Sequence, residues 1–73
     1  MIADKLKGLL AMSGRSQREV AEKLGISHQA VNTKFRKNSF SINDIIQICD
    51  LCEANITMST QDGQTISLDL TDL

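Results

Sequence analysis

Counted from Gln29, the polar side chains His28, Asn32, Thr33 and Arg36 fall one, three, four and seven residues away, which sets all five along one face of a helix. Amides, a hydroxyl, an imidazole and a guanidinium together make a set for hydrogen-bonded recognition rather than for bond making. His28 is the chain's only histidine and has no nucleophile or acid near it in sequence. Paired carboxylates, a nucleophile–base couple and a glycine-rich phosphate loop are also missing from the pattern, so no catalytic role is expected. Cys49 and Cys52 share the C-x-x-C spacing of zinc and redox sites. Zinc calls for four ligands, and there is no second cysteine pair. A redox pair would sit at a strand-to-helix junction, whereas this one falls within a helical apolar stripe. The two are read as small buried hydrophobes, reduced as in the cytoplasm, with no metal or cofactor implied.

The polar face belongs to the second half of Gln17–Arg36, QREVAEKLGISHQAVNTKFR. Val20, Ala21, Leu24, Ile26, Ala30, Val31 and Phe35 recur three or four apart within each half, so each half is an amphipathic helix. Ala21 is small where two helices cross, and Gly25 stands where a left-handed residue ends the first of them. Ser16 with Glu19 forms a capping box for the first helix, and Ser27 caps the second. Two helices joined by such a corner form a helix-turn-helix, whose second helix enters the DNA major groove.

Around this motif the pattern predicts helices at about residues 3–12, 16–24, 27–37 and 41–53, followed by a β-hairpin at about 55–70. The first helix would bury Ile2, Leu6, Leu9 and Leu10 and end at Ser13-Gly14. Gly8 weakens it unless close packing requires the glycine. The fourth starts at Ser41 with Asp44 as box partner and buries Ile42, Ile45, Ile48, Cys49 and Cys52. Ile46 and Leu51 lie off that stripe and are expected to be partly exposed, a hint of a partner. In the tail the apolar period changes to two. A two-residue Asp62-Gly63 loop would set Met58 against Ser67 and Ile56 against Asp69, mixing polar and apolar on each face. A three-residue loop, Gln61-Asp62-Gly63, pairs Met58 with Ile66 and Ile56 with Leu68, with Gly63 in a left-handed position. That register is the one expected. The apolar face Ile56, Met58, Ile66, Leu68 and Leu70 then either covers the chain's own helices or joins two copies. A lone two-stranded ribbon must pack on something, and dimerisation is the reading taken.

Seventy-three residues make one small domain, which hides only about 60% of its unfolded surface. The net charge of −1 is unevenly spread: Arg15 to Lys37 holds six cations against Glu19 and Glu22, while the remainder has Lys5 and Lys7 against seven acids. One face can therefore meet phosphates although the whole chain is slightly acidic. With no tryptophan or tyrosine, stacking on single-stranded bases or RNA is poorly supported. No apolar run approaches the roughly 20 residues of a membrane span, and the N-terminus has no secretory cleavage pattern.

Gln17, Ala21 and Gly25, at the first, fifth and ninth places of the motif, together with the apolar Val20, Leu24, Ile26 and Val31, resemble the lambda-repressor/Cro-like (XRE-type) helix-turn-helix family of small phage and bacterial regulators. The likeness covers about Ile2 to Met58, including the following stretch FSINDIIQICDLCEANITM. Lys34 departs from it by standing at a usually apolar place, and Phe35 is read as supplying that packing. The resemblance implies a mainly α fold, four helices with a C-terminal hairpin here, and a homodimeric repressor on a palindromic operator. It implies base readout by His28 and Gln29 with Asn32 and Thr33 one turn on. Gln and Asn suit adenine bidentately, each pair discriminating by about 1–3 kcal/mol. Gln17 and Ser27 would meet phosphate, Gln17 also bracing Gln29, and Arg15, Arg18, Lys34, Arg36 and Lys37 are the long cations for the backbone. A protonated His28 would add a contact, so affinity is expected to rise on acidification. No small-molecule substrate is evident. The competing reading is a protein-interaction module, an antitoxin or adaptor on the same fold.

Overall fold

Serine side chains start three of the four helices. In the computed structural model, which describes residues 1–73, α1 spans Ile2–Ser13, α2 Gln17–Leu24, α3 His28–Lys37 and α4 Ile42–Leu51. Ser16 Oγ accepts from the Glu19 N–H while Glu19 Oε1 accepts from the Ser16 N–H, which completes the box at α2. Ser41 and Asp44 do the same at α4, and Ser27 Oγ accepts from the Ala30 N–H at α3. Each cap satisfies donors that have no partner inside the helix.

The helices stop by turning left-handed. Gly14 and Gly25, at φ of 68° and 69°, end α1 and α2. Asn38 ends α3 at φ 54°, and Glu53 follows α4 in the same conformation. The Ala54 N–H then reaches back to the Cys49 carbonyl at 2.8 Å. Cys52 and Glu53 thus lie just beyond α4 rather than within it, as the sequence pattern had placed them.

Val20, Val31 and Ile48, one from each of α2, α3 and α4, are fully buried at the centre. Ala3, Leu6, Leu10, Ala21, Phe35 and Cys52 surround them. Phe35 fills the place expected of it and meets Phe40 edge-on, with ring centroids 4.9 Å apart. Leu24 and Ala30 are half-buried.

Two stripes differ from expectation. On α1 the buried set is Ala3, Leu6 and Leu10, with Leu9 half-buried and Ile2 at the surface. The roll goes with Asn38: its Oδ1 accepts from the Ala3 N–H at 2.7 Å, which brings the start of α1 against the end of α3 and buries Ala3 there. On α4, Ile46 is buried and Ile42 exposed, the reverse of the expected pattern, and Ile45 is half-buried. One side of α4 (Ile48, then Cys52 beyond its end) faces the helical core, while Ile46 and Cys49 face the hairpin. A single-stripe reading misses a helix covered on two sides. Leu51 is half-buried, as expected.

The hairpin, β1 (Ile56–Ser59) and β2 (Thr65–Leu68), pairs Met58 with Ile66 and Ile56 with Leu68, the register that parity predicted. Thr60 and Gln64 close the Gln61-Asp62-Gly63 loop through the Thr60 N–H to the Gln64 carbonyl at 2.8 Å, and Gly63 has φ 89°. A short 3-10 turn, Leu70–Asp72, capped by Asp69, packs back on α4.

Two ion pairs tie α4 to the motif: Lys23 with Asp50, and Lys34 with Asp44 at 2.9 Å. Burial alone would raise the Asp44 carboxyl, but hydrogen bonds from Lys34 and the Ser41 N–H outweigh it and hold the group below its ordinary value.

Three outcomes follow from these contacts. Asn38→Gly loses the bond to Ala3, costing about 1 kcal/mol, and recovers part of this by relieving the left-handed backbone, whereas Asn38→Ala loses the same bond and retains roughly 1–2 kcal/mol of backbone strain. Urea unfolding should rank both wild type and Asn38→Gly above Asn38→Ala, and an alanine variant as stable as wild type would show that neither the bond nor the backbone conformation contributes. A Cβ at the exposed Gly8 would meet nothing within 4 Å. Gly8→Ala should therefore gain about 0.5–1 kcal/mol, read as a melting temperature a few degrees higher. Because the folded Asp44 titrates below its unfolded value, its contribution is present above the ordinary carboxylate range and is lost as pH falls through the folded value. Melting temperature should hold level down to about pH 5 and then drop, with a shallower drop in Lys34→Met. Superimposable acid profiles would refute the coupling.

Candidate nucleic-acid interface

The core grips α3 from one side only. Val31 and Phe35 are buried and Ala30 is half-buried, so the rest of the helical circumference is left to solvent. Ser27, His28, Gln29, Asn32, Arg36 and Lys37 are exposed there. The side chains of His28, Gln29, Asn32 and Arg36 have no hydrogen-bond partner within the chain, so their donors and acceptors are free for a ligand. Thr33 is half-buried, and its hydroxyl donates to the Gln29 carbonyl at 3.1 Å, so it has less to offer than its neighbours. Ser27 Oγ is committed to the cap. Ten residues of α3 measure about 15 Å at 1.5 Å per residue, and a helix of that size fits a major groove about 12 Å wide.

α2 lies across the back of α3, with Val20 and Ala21 buried between them. It presents Gln17, half-buried, and Arg18, exposed, in its first turn. The backbone N–H groups of that turn not used by the Ser16 cap point away from the helix without intrahelical partners. No hydrogen bond joins Gln17 to Gln29 across the corner.

The cations divide into two kinds. Arg18, Arg36 and Lys37 make no ion pair, and neither do Lys5 and Lys7 on α1. Arg15 is held by Glu19 at 2.9 Å, a bond that raises the guanidinium's pKa and lowers that of the carboxyl. Lys34 is held by Asp44 and Lys23 by Asp50. Lys34 therefore serves first as a strut between α3 and α4, a use that its sequence neighbours do not announce. Asn38 also went unrecognised by sequence reasoning, although it sets where the end of α3 sits against α1. Asparagine in a helix-ending position is the one local hint of that role.

The remaining candidates lie elsewhere. Cys49 and Cys52 are buried free thiols, and burial, with Cys52 beside it, pushes the Cys49 thiol up. A thiol so placed stays protonated and unreactive near neutrality. No grouping of His, Cys, Asp and Glu is arranged to hold a metal ion. In the hairpin, Ile56 and Leu68 are half-buried against α4, whereas Met58, Ile66 and Leu70 are 52%, 61% and 42% exposed. The base of the hairpin covers its own chain and the far end does not. No helix is long and apolar enough to cross a membrane.

The family model of the bacteriophage CI repressor helix-turn-helix domain matches residues 6–62. That span contains the whole of α2, α3, α4 and β1 and ends within the hairpin loop, at Asp62. No curated protein and no solved structure matches the chain. A match over most of the length, on a four-helix fold whose third helix stands free along one face, shows that this chain belongs to the bacteriophage CI repressor helix-turn-helix domain family, a family of DNA-binding transcriptional repressors.

Proposed function

We propose that the chain binds a palindromic operator as a homodimer, reading bases with α3 and blocking transcription by occupying the site. The observation that carries this reading is the exposed, unpartnered row His28, Gln29, Asn32 on a helix buttressed from behind by Val31 and Phe35. Amides held on a rigid helix can meet base edges without first giving up internal bonds, and this lowers the cost of recognition. Gln29 and Asn32 are the candidates for adenine, His28 for an adjacent base or phosphate, and Thr33 for a methyl or van der Waals contact. Arg18, Arg36 and Lys37 supply phosphate contacts, joined by Gln17, Ser27 and the free amides that open α2. Arg15 and Lys34 can join only by exchanging a carboxylate for a phosphate.

Two copies related by a two-fold axis would place two α3 helices about 34 Å apart, one turn of duplex, if the interface sets that spacing. The far end of the hairpin supports this assembly, since the Met58–Ile66 pair puts two large apolar side chains in water on the same face. Repression follows from steric occlusion of polymerase.

Selection of bound sites from random duplexes, followed by titrations at several salt concentrations, tests the whole reading. The expected outcome is a symmetric site. Gln29→Ala or Asn32→Ala should relax one position per half-site by about 1–3 kcal/mol. Arg18→Ala or Lys37→Ala should weaken all duplexes alike and lower the salt slope by about 1, with smaller changes for Arg15→Ala. Ile66→Glu should yield a folded monomer by sedimentation that binds single half-sites weakly. Failure to bind any duplex at about 50 mM salt, where phosphate contacts are strongest, would leave the interaction-module reading in its place.

A further inference from the structure

Between α4 and the base of the hairpin lies a cleft of about 290 Å³. Its apolar lining includes Ile46 and Cys49, 4% and 8% exposed, together with Ile56, Leu68 and Leu70. Asp50, Glu53 and Asp69 also line it. The volume is at the small end of the roughly 300–1,000 Å³ typical of ligand pockets, room for one large apolar side chain rather than a whole cofactor.

The charge around the cleft is unbalanced. From Asn38 to the C-terminus the chain has six acids and no lysine, arginine or histidine. Two cations reach the lining from elsewhere: Lys23, paired with Asp50, and Arg15, which is bonded to Glu19 and also feels the Glu53 carboxylate. Glu53 makes no ion pair, and Asp69 is occupied only by the N–H and hydroxyl of Thr71. An apolar recess beside carboxylates that outnumber the cations near them disfavours an anionic guest and favours a cationic one through long-range attraction as well as contact.

We propose that the α4–hairpin cleft is a docking site for a cationic amphipathic segment of a partner protein, which seats one apolar side chain against Ile46 and Cys49 and sets its flanking lysines or arginines against Glu53 and Asp69. No residue of α1, α2 or α3 lines the cleft, so an occupant leaves the free face of α3 uncovered. The partner and a duplex can then be held at once.

The test uses the full isotope-labelled chain without DNA, so its result is independent of whether the protein binds an operator. The probe is a short amphipathic helical peptide of leucine and lysine, with two controls: glutamate replacing lysine, and serine replacing leucine. The expected result is saturable amide shifts concentrated at Ile46, Cys49, Leu68 and Leu70, binding by the leucine–lysine peptide alone, and an affinity loss of about tenfold in Glu53→Lys. Lysine tolerates the backbone of position 53 no worse than glutamate does, so the fold should be retained, and unchanged shifts in α1–α3 would verify it. Shifts scattered over other acidic surfaces, equal binding of either control, or unaltered affinity in Glu53→Lys would overturn the proposal. So would concentration-dependent shifts at the same amides without peptide, which would make a second copy the occupant.

Discussion

Val20, Val31 and Ile48 meet where α2, α3 and α4 converge, and none of the three retains any exposed surface. Each contributes about 1.5–3 kcal/mol by leaving water. In a chain with only 11 buried residues there is no second core to compensate for them. The orientation of α3 depends on this contact. Because Val31 and Phe35 face inward, Gln29 and Asn32 on the same helix cannot, and a helix with one buried stripe has nowhere else to put them. The free polar face of α3 is thus the geometric complement of the core.

Charge is organised along the chain as strongly as apolar surface is. All eight lysines and arginines precede Asn38, and six of the nine acids follow it. The two parts are joined by Lys23–Asp50 and Lys34–Asp44, which pull α4 towards the motif. These pairs are partly exposed, and each contributes little on its own. Their larger effect is to withdraw two cations from the set available to phosphate. A net charge of −1 therefore coexists with a surface suited to DNA, and the acidic end is left with an apolar cleft of its own.

The ends of the helices set the angles between them. Four helices terminate through a left-handed residue, and two of those residues, Asn38 and Glu53, carry side chains. Asn38 offsets part of its strain with the bond to Ala3, which makes the end of α3 and the start of α1 a single joint. Glu53 has no such bond, yet its conformation turns the chain from α4 into β1 and so decides which side of α4 the hairpin covers.

Local chemistry was legible from the residues alone. Ser16, Ser27 and Ser41 as caps, Gly14 and Gly25 as stops, the polar face of α3 and the buried Phe35 all depend on neighbours within about four positions, where helical periodicity is decisive. The hairpin register was legible too, because a slip of one residue would have mixed polar and apolar on both faces. Only the tertiary structure decided what depends on distant partners. Asn38 lies 35 residues from Ala3, and Lys23 lies 27 from Asp50. Ile46 is buried on the side that the hairpin base and the 3-10 turn cover, so the helix carries two covered sides where its own period indicates one. Sequence periodicity reports the main apolar stripe of a helix but not what else comes to rest on it, and that is why the free face of α3 could be read in advance while the cleft on α4 could not.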